Sequence, residues 1–149
     1  MYSEYVNWKQ GSAMQFLTYS ETRRRLREVL DAAEVGKAAG IERRGSRVAL
    51  VERDRLHGLL ADSWRLGRPE AVAEAGGWSV FLPGTPIAAD GADLERAVEE
   101  FIEALREYSE DWEDRLRLAA NHEHLWPLVL FVAMSTDAEL ASWVYGGES

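Results

Sequence analysis

Residues 15–52 read QFLTYSETRRRLREVLDAAEVGKAAGIERRGSRVALVE, and this stretch decides the fold of the first half of the chain. The apolar run at its start predicts a short strand. Thr18 and Glu21 have the spacing of a capping box, a side-chain arrangement that begins many helices. The helix predicted after them ends at Gly36, because glycine is the usual residue where a helix stops. The face of this helix that we expect to be buried carries Thr22, Leu26, Val29, Leu30 and Ala33.

Two short runs of small and β-branched residues follow, at residues 39–42 and 48–52. Between them stands the basic sequence Arg-Arg-Gly-Ser-Arg at 43–47, whose Gly-Ser pair can turn a hairpin. Leucines at helical spacing in residues 52–64 predict a second helix. The first half of the chain is therefore predicted to fold as strand, helix, hairpin and helix.

The order and spacing of these elements resemble the N-terminal domain of the Phd/YefM (prevent-host-death) antitoxins. The resemblance lies in FLTYSETRRRL at 16–26, Gly36, IERRG at 41–45 and VALV at 48–51, and it covers about 50 of the 149 residues. Thr22 departs from the family, where a small alanine is usual. The resemblance implies that two copies share a sheet to form a DNA-binding homodimer, which represses its own operon at an operator and neutralises a cognate toxin.

Six arginines are the candidate DNA-binding residues. The resemblance implies DNA contacts from one arginine at the start of the first helix and one in the hairpin, which correspond to Arg23 and Arg43. An arginine near a helix N-terminus can reach a phosphate or a guanine edge, and a basic hairpin tip can lie along the phosphate backbone. Alternatively, these side chains are solvated or paired with Glu21, Glu28 and Glu42. The full set is Arg23, Arg24, Arg27, Arg43, Arg44 and Arg47.

The charge of the chain is divided unevenly. Residues 1–68 carry 13 Lys/Arg and 9 Asp/Glu, a net charge of +4, whereas residues 69–149 carry 4 and 17, a net charge of −13. A basic half is attracted to a polyanion such as DNA, and a strongly acidic half is repelled by one. The acidic half therefore suits a basic protein partner.

Glycine, proline, alanine and glutamate dominate residues 67–77, where the charge also reverses. We expect this stretch to link a domain at residues 14–66 to a domain at residues 78–149, with residues 1–13 as an N-terminal extension of unknown role. Residues 78–82 predict a strand, and the Asp90-Gly91 pair predicts a turn.

The second half is then expected to be mainly helical, so the predicted fold class is α+β. A long helix, predicted to end near residues 121–123, is marked by apolar residues at intervals of three or four: Leu94, Val98, Phe101, Leu105, Tyr108, Trp112 and Leu116. Residues 125–134 are apolar around most of the helical circumference, which predicts burial in this chain or against a partner. Thr136 and Glu139 form the capping box of a last helix, which Gly146 and Gly147 end.

The acidic half is the predicted toxin-binding element. Its long helix would present carboxylates to a toxin with a cationic cleft, such as a PIN-type or RelE-like ribonuclease, and residues 125–134 would fill an apolar groove. Tryptophans at helical positions suit either the core of the domain or an anchor in an interface. The candidate toxin-binding residues are Glu99, Glu103, Leu125, Trp126 and Phe131.

Several other functions lack support in the sequence. The chain has no cysteine, no recognisable secretion signal and no apolar run of membrane-spanning length, so we expect a cytoplasmic protein without membrane contact. His122 and His124 lack a third ligand at metal-site spacing. No phosphate-binding loop, nucleophile elbow or Ser-His-Asp order is present, so neither an enzyme nor a cofactor is expected. The alternative function is a dimeric protein-interaction module that does not bind DNA.

Overall fold

The computed structural model describes residues 16–146 and divides between Leu56 and His57 into two compact units. We call residues up to Leu56 unit 1 and residues from His57 onwards unit 2. The predicted extension at residues 1–13 lies outside the described residues, as do Gln15 and Gly147.

Unit 1 has the predicted order of strand, helix, hairpin and helix. Its three-stranded sheet has the order β1-β2-β3, with β1 parallel to β2 and β2 antiparallel to β3. Ile41 at the centre of the sheet lies opposite Leu17 on one side and Val48 on the other. The elements are β1 (Phe16–Thr18), α1 (Tyr19–Arg24), α2 (Leu26–Glu34), β2 (Ala39–Arg43), β3 (Ser46–Leu50) and the start of α3 (Arg53–Ala61).

The predicted single helix after Thr18 is divided at Arg25, whose backbone (φ −118°, ψ 26°) is not helical. Thr18 caps the first part, because its hydroxyl accepts a hydrogen bond from the Glu21 N–H at 3.2 Å, but the return bond from the Glu21 side chain that would complete the predicted capping box does not form among the described residues. The buried Thr22 hydroxyl donates to the Thr18 carbonyl at 2.8 Å. Back-bonding of this kind often bends a helix, and the helix is interrupted three residues further on, at Arg25.

The hairpin turns at Arg44 and Gly45 rather than at the Gly-Ser pair. Both residues have positive φ angles, 50° for Arg44 and 79° for Gly45, as a two-residue type I′ turn requires. Glycine adopts this conformation freely, whereas an arginine does so at a cost in free energy.

The predicted buried face of the first helix is only partly buried. Val29 and Ala33 pack with Ala39 in a small core, and Leu17 and Leu50 line it. Leu26 and Leu30, however, are 49% and 43% exposed. Of the predicted face, Thr22, Val29 and Ala33 are therefore buried, and the two leucines remain at the surface.

Unit 2 combines a second sheet with helices. The strands lie in the order β4-β5-β6, all antiparallel, and the long helix α4 packs on β5 and β6. After α3 the elements are a 3-10 turn (Trp64–Leu66), β4 (Glu70–Glu74), β5 (Gly77–Phe81), β6 (Ala88–Gly91), α4 (Leu94–Asp114), two 3-10 turns (Leu116–Leu118 and Glu123–Leu125), α5 (Trp126–Met134) and α6 (Asp137–Val144). The α+β class is therefore confirmed.

Three boundaries differ from the sequence prediction. The predicted linker at residues 67–77 contains β4, because β5 offers it a pairing partner through a turn at Gly76. Gly91, predicted in a turn, ends β6 and lies so close to the backbone of Ala97 that any side chain would collide with it. The long helix ends at Asp114, and two 3-10 turns follow it.

The core of unit 2 confirms the long-helix pattern and buries the apolar segment within this chain. Val98, Phe101, Leu105 and Tyr108 of α4 are buried. The α5 core residues are Pro127, Leu128, Val129, Phe131 and Val132.

Side chains form hydrogen bonds with backbone groups at the C-terminal end of α5 and the N-terminal end of α6. Arg106 of α4 donates to the carbonyls of Val132 and Ser135 at 2.6 and 2.7 Å, and pairs with Asp137 at 2.8 Å. The predicted capping box of α6 is present in full, with reciprocal hydrogen bonds between Thr136 and Glu139 at 3.1 Å. The turn between α5 and α6 is therefore held by the hydrogen bonds of Arg106 and by the capping box of α6.

Candidate functional site

The six predicted DNA-binding arginines are all exposed. Arg23 and Arg24 lie in the last turn of α1, where they and Ser20 border a shallow concavity. Arg27 lies on α2, and the other three arginines lie in or beside the hairpin turn. We call this set the arginine surface.

Two aromatic residues, Phe16 of β1 and Tyr19 of α1, contact arginines of the hairpin. The Arg43 guanidinium carbon lies 5.4 Å from the centroid of the Tyr19 ring, and that of Arg47 lies 5.3 Å from the Phe16 ring. Both distances fall within the range of cation–π attraction. Because Tyr19 is the first residue of α1, the contact brings the last residue of β2 beside the start of the helix. Sequence reasoning did not assign this role to Tyr19 or Phe16.

The alternative that these arginines are neutralised by neighbouring glutamates finds little support in the geometry. Arg47 lies 4.0 Å from Glu42, at the limit of an ion pair. Glu28 pairs instead with Arg25 at 2.8 Å, which is outside the predicted set. Among residues 16–146, the other five arginines of the surface form no ion pair. Their charge remains available to an anion.

The predicted toxin-binding residues have different environments in unit 2. Glu99 and Glu103 are exposed on α4, and Glu99 accepts a hydrogen bond from Arg96 at 3.1 Å. Leu125 is half-buried against the core, and Trp126 is 56% exposed. Phe131 is fully buried. It is a core residue and not an exposed anchor, so that part of the prediction was wrong.

A polar cluster that the sequence did not predict joins α3 to α5 and α6. His57 Nε2 lies 2.8 Å from Ser135 Oγ and 3.4 Å from a Glu139 carboxylate oxygen, and its ring stacks on Phe131. A Ser-His-acid triad needs the serine and the acid on opposite ring nitrogens. Here the same nitrogen contacts both, and Ser135 donates to the Phe131 carbonyl. The cluster is a packing element, and the 78-residue separation of His57 and Ser135 left no spacing signal.

Next to this cluster lies an open cleft of about 450 Å³, which also has Asp62, Arg68 and Trp143 in its lining. Neither Asp62 nor Arg68 forms an ion pair with a described residue. Trp64, a few residues away in the chain, is 82% exposed, and Arg65 lies 5.0 Å over its ring. Asp62, Trp64, Arg68 and Trp143 also line a second open cleft.

His122, one of the two histidines that lack a third metal ligand in the sequence, contacts Tyr108. The Tyr108 hydroxyl and His122 Nδ1 are 2.8 Å apart, and burial raises the pKa of Tyr108 because the phenolate would be desolvated. Within residues 16–146 no three His, Cys, Asp or Glu side chains gather as a metal site would require. None of the helices in that range has the length and apolar character to cross a bilayer.

Comparison with known proteins gives one structural likeness. No protein-family model matches the sequence, and no curated protein matches it. The fold is similar to a crystal structure from Syntrophomonas wolfei subsp. wolfei, described as the antitoxin part of a proposed toxin/antitoxin system. The TM-score is 0.72 at 21% sequence identity, over 87% of this chain and 96% of that one. The two chains therefore share a fold over most of their length.

Proposed function

We propose that this protein is the antitoxin of a type II toxin–antitoxin system, a non-catalytic protein that binds and neutralises a toxin. The observation that carries the proposal is the likeness to an antitoxin over nearly the whole of both chains. The uneven charge of the chain supports the proposal. A basic surface of the antitoxin would attract DNA, and an acidic surface would attract the cationic cleft of a nucleic-acid-cleaving toxin.

Co-expression tests this role. The product of the gene beside this one is expressed in a bacterial host, with or without the full-length chain, and growth is followed. Neutralisation predicts that growth stops with the neighbouring product alone and recovers when the chain is present. Arrest that persists despite a folded, soluble chain would reject the antitoxin function.

We propose that the arginine surface binds operator DNA and so represses the operon. Five exposed arginines without ion pairs, two of them beside a shallow concavity, support phosphate contacts. Arg23 and Arg43 are assigned most of the contact energy. Each phosphate that is neutralised releases counterions, so the logarithm of the binding constant should fall linearly with the logarithm of the salt concentration.

Anisotropy titration of the upstream DNA at two salt concentrations measures this binding. Arg23→Ala should cost roughly 1–3 kcal/mol if Arg23 contacts a base. Arg115→Ala in unit 2 is the matched control, because it removes the same charge from an exposed residue that is not part of the arginine surface. Wild-type affinity in the Arg23→Ala/Arg43→Ala double variant would reject the assignment, and a dimer without DNA affinity would favour the interaction-module alternative.

We propose that unit 1 forms a homodimer. The half-exposed Leu26 and Leu30, together with exposed Val48 and Val51, give it more apolar surface than its small core can bury. A second copy would cover such a surface and extend the three-stranded sheet. Light scattering should give twice the chain mass at micromolar concentration. Leu26→Lys/Leu30→Lys should give a folded monomer, and a monomeric wild-type chain would contradict the proposal.

We propose that the acidic unit contacts the toxin through Glu99 and Glu103 of α4 and through Leu125 and Trp126 at the start of α5. The support is the net charge of −13 over residues 69–149 and the exposure of Trp126, since tryptophan often anchors interfaces. A toxin of the PIN or RelE type, with a cationic cleft, fits this surface best.

A further inference from the structure

Strand β4, Glu70–Glu74, is one edge of the sheet in unit 2. It pairs with β5 along its whole length, from Glu70 opposite Phe81 to Glu74 opposite Gly77. On its other side, the backbone of residues 70–74 has no hydrogen-bond partner among residues 16–146. An edge of this kind offers a row of N–H and C=O groups to another strand.

Nothing in the described part of the chain covers this edge. All five residues of β4 are exposed, whereas helix α4 packs on β5 and β6. Val80 of β5 faces the core and is fully buried, and Ala71 lies directly opposite it. Ala71 and Ala73 share the core-side face of the sheet but remain exposed. A further strand beside β4 would therefore extend both the hydrogen-bonded ladder and the apolar face.

The charges of β4 distinguish between possible occupants. Glu70, Val72 and Glu74 alternate on the face away from the core. If two copies of β4 paired antiparallel about Val72, Glu70 of each copy would lie opposite Glu74 of the other. Directly opposed like charges destabilise a strand pair, whereas opposite charges stabilise it. In this register a second copy is disfavoured, and a strand with Lys or Arg at both positions is favoured.

We propose that the β4 edge accepts a strand of the toxin, with basic residues facing Glu70 and Glu74 and an apolar or small residue beside Val72. Main-chain pairing supplies affinity in this mode of recognition, and the alternate side chains supply specificity. The inference rests on the proposed antitoxin function and adds a docking element to the α4 and α5 contacts.

Charge reversal at the edge tests the side-chain part of the proposal. The full-length chain is titrated with the purified product of the neighbouring gene, as wild type and as Glu70→Lys/Glu74→Lys. Asp31→Lys/Glu34→Lys on the exposed surface of α2 is the matched control, since it changes the net charge equally and lies outside the proposed toxin contacts. We expect the β4 variant to bind at least about tenfold more weakly and the control within about threefold of wild type. Equal losses in the two variants would overturn the proposal.

Hydrogen exchange of the wild-type chain tests the backbone part and needs no substitution. In the free chain, the β4 amides that point away from β5 should exchange quickly, and toxin binding should slow them. Binding without a change at β4 would overturn this inference and leave the antitoxin function standing. Protection that rises with chain concentration alone would make a second copy the occupant and also overturn it. No binding by the wild-type chain would reject both the antitoxin function and the inference.

Discussion

The guanidinium carbon of Arg43 lies 5.4 Å from the centroid of the Tyr19 ring, which fixes a hairpin arginine beside the start of helix α1. A cation over an exposed aromatic ring is stabilised by about 0.5–1 kcal/mol. The ring therefore restrains the proposed DNA-contacting side chain before DNA arrives.

Tyr19→Ala should weaken operator binding by roughly two- to fivefold, the equivalent of that cation–π energy, without unfolding unit 1. Tyr19→Phe retains the ring and should bind nearly as well as wild type. Tyr145→Ala, which removes a similarly exposed tyrosine from unit 2, is the control. Anisotropy titration measures all three, and unchanged affinity in Tyr19→Ala would show that the ring does not position Arg43.

Arg44→Asn should stabilise the hairpin and weaken DNA binding at the same time. Arg44 has a φ of 50°, and asparagine is accommodated in this region at lower cost than arginine. We expect a gain of about 0.5–1 kcal/mol in unfolding free energy, measured by exchange of the β2 and β3 amides. Arg47→Asn, at a position without positive φ, should give no such gain. A destabilised Arg44→Asn hairpin would contradict this account of the turn.

Trp126→Ala and Phe131→Ala should distinguish a residue of the proposed toxin interface from a residue of the core. Phe131 is fully buried, so its truncation should destabilise unit 2 by about 3–5 kcal/mol. Trp126 is more than half exposed, and its truncation should leave the circular dichroism spectrum unchanged while weakening neutralisation. If Trp126→Ala remains folded and protects growth as well as wild type, Trp126 is not an anchor.

Alkaline pH should destabilise unit 2 through Tyr108. Burial raises the pKa of Tyr108 above its ordinary value of 10.0, so the folded chain holds the phenol proton more tightly than the unfolded chain does. This stabilising contribution is complete below pH 10 and is lost as the pH rises towards the folded pKa. Denaturant unfolding between pH 8 and 11 should give a smaller loss for Tyr108→Phe than for wild type. If the unfolding free energies of the two proteins fell equally with pH, the raised pKa of Tyr108 in the folded chain would be contradicted.

The features that were predicted correctly depend on neighbours close in sequence. The capping interactions of Thr18 and Thr136 involve residues three positions away, and the buried face of α4 repeats over many turns. The hairpin was found because basic turn residues separate two β-branched runs. Such signals are local, and tertiary structure did not override them.

The features that were missed depend on distant partners. The β4 sequence, Glu-Ala-Val-Ala-Glu, has few β-forming residues and becomes a strand because β5 pairs with it. Glycine is typical of turns, but Gly91 lies in β6, where the lack of a side chain allows the strand to pack closely against α4. In the candidate site, the helical spacing of the first half indicates that the arginines are exposed. The contacts of Arg43 with Tyr19 and of Arg47 with Phe16 form only when the strands pair into a sheet, so the sequence did not predict them.

The 78-residue separation between His57 and Ser135 has a consequence for the order of folding during synthesis. The contacts within unit 1 are complete once residue 56 has left the ribosome, whereas His57 must wait for Ser135. At about 5–20 residues per second, that delay is roughly 4–16 s. The nascent chain thus exposes the core side of α3 while unit 1 is already able to fold, and limited proteolysis of stalled chains should detect a resistant first half before the second is protected.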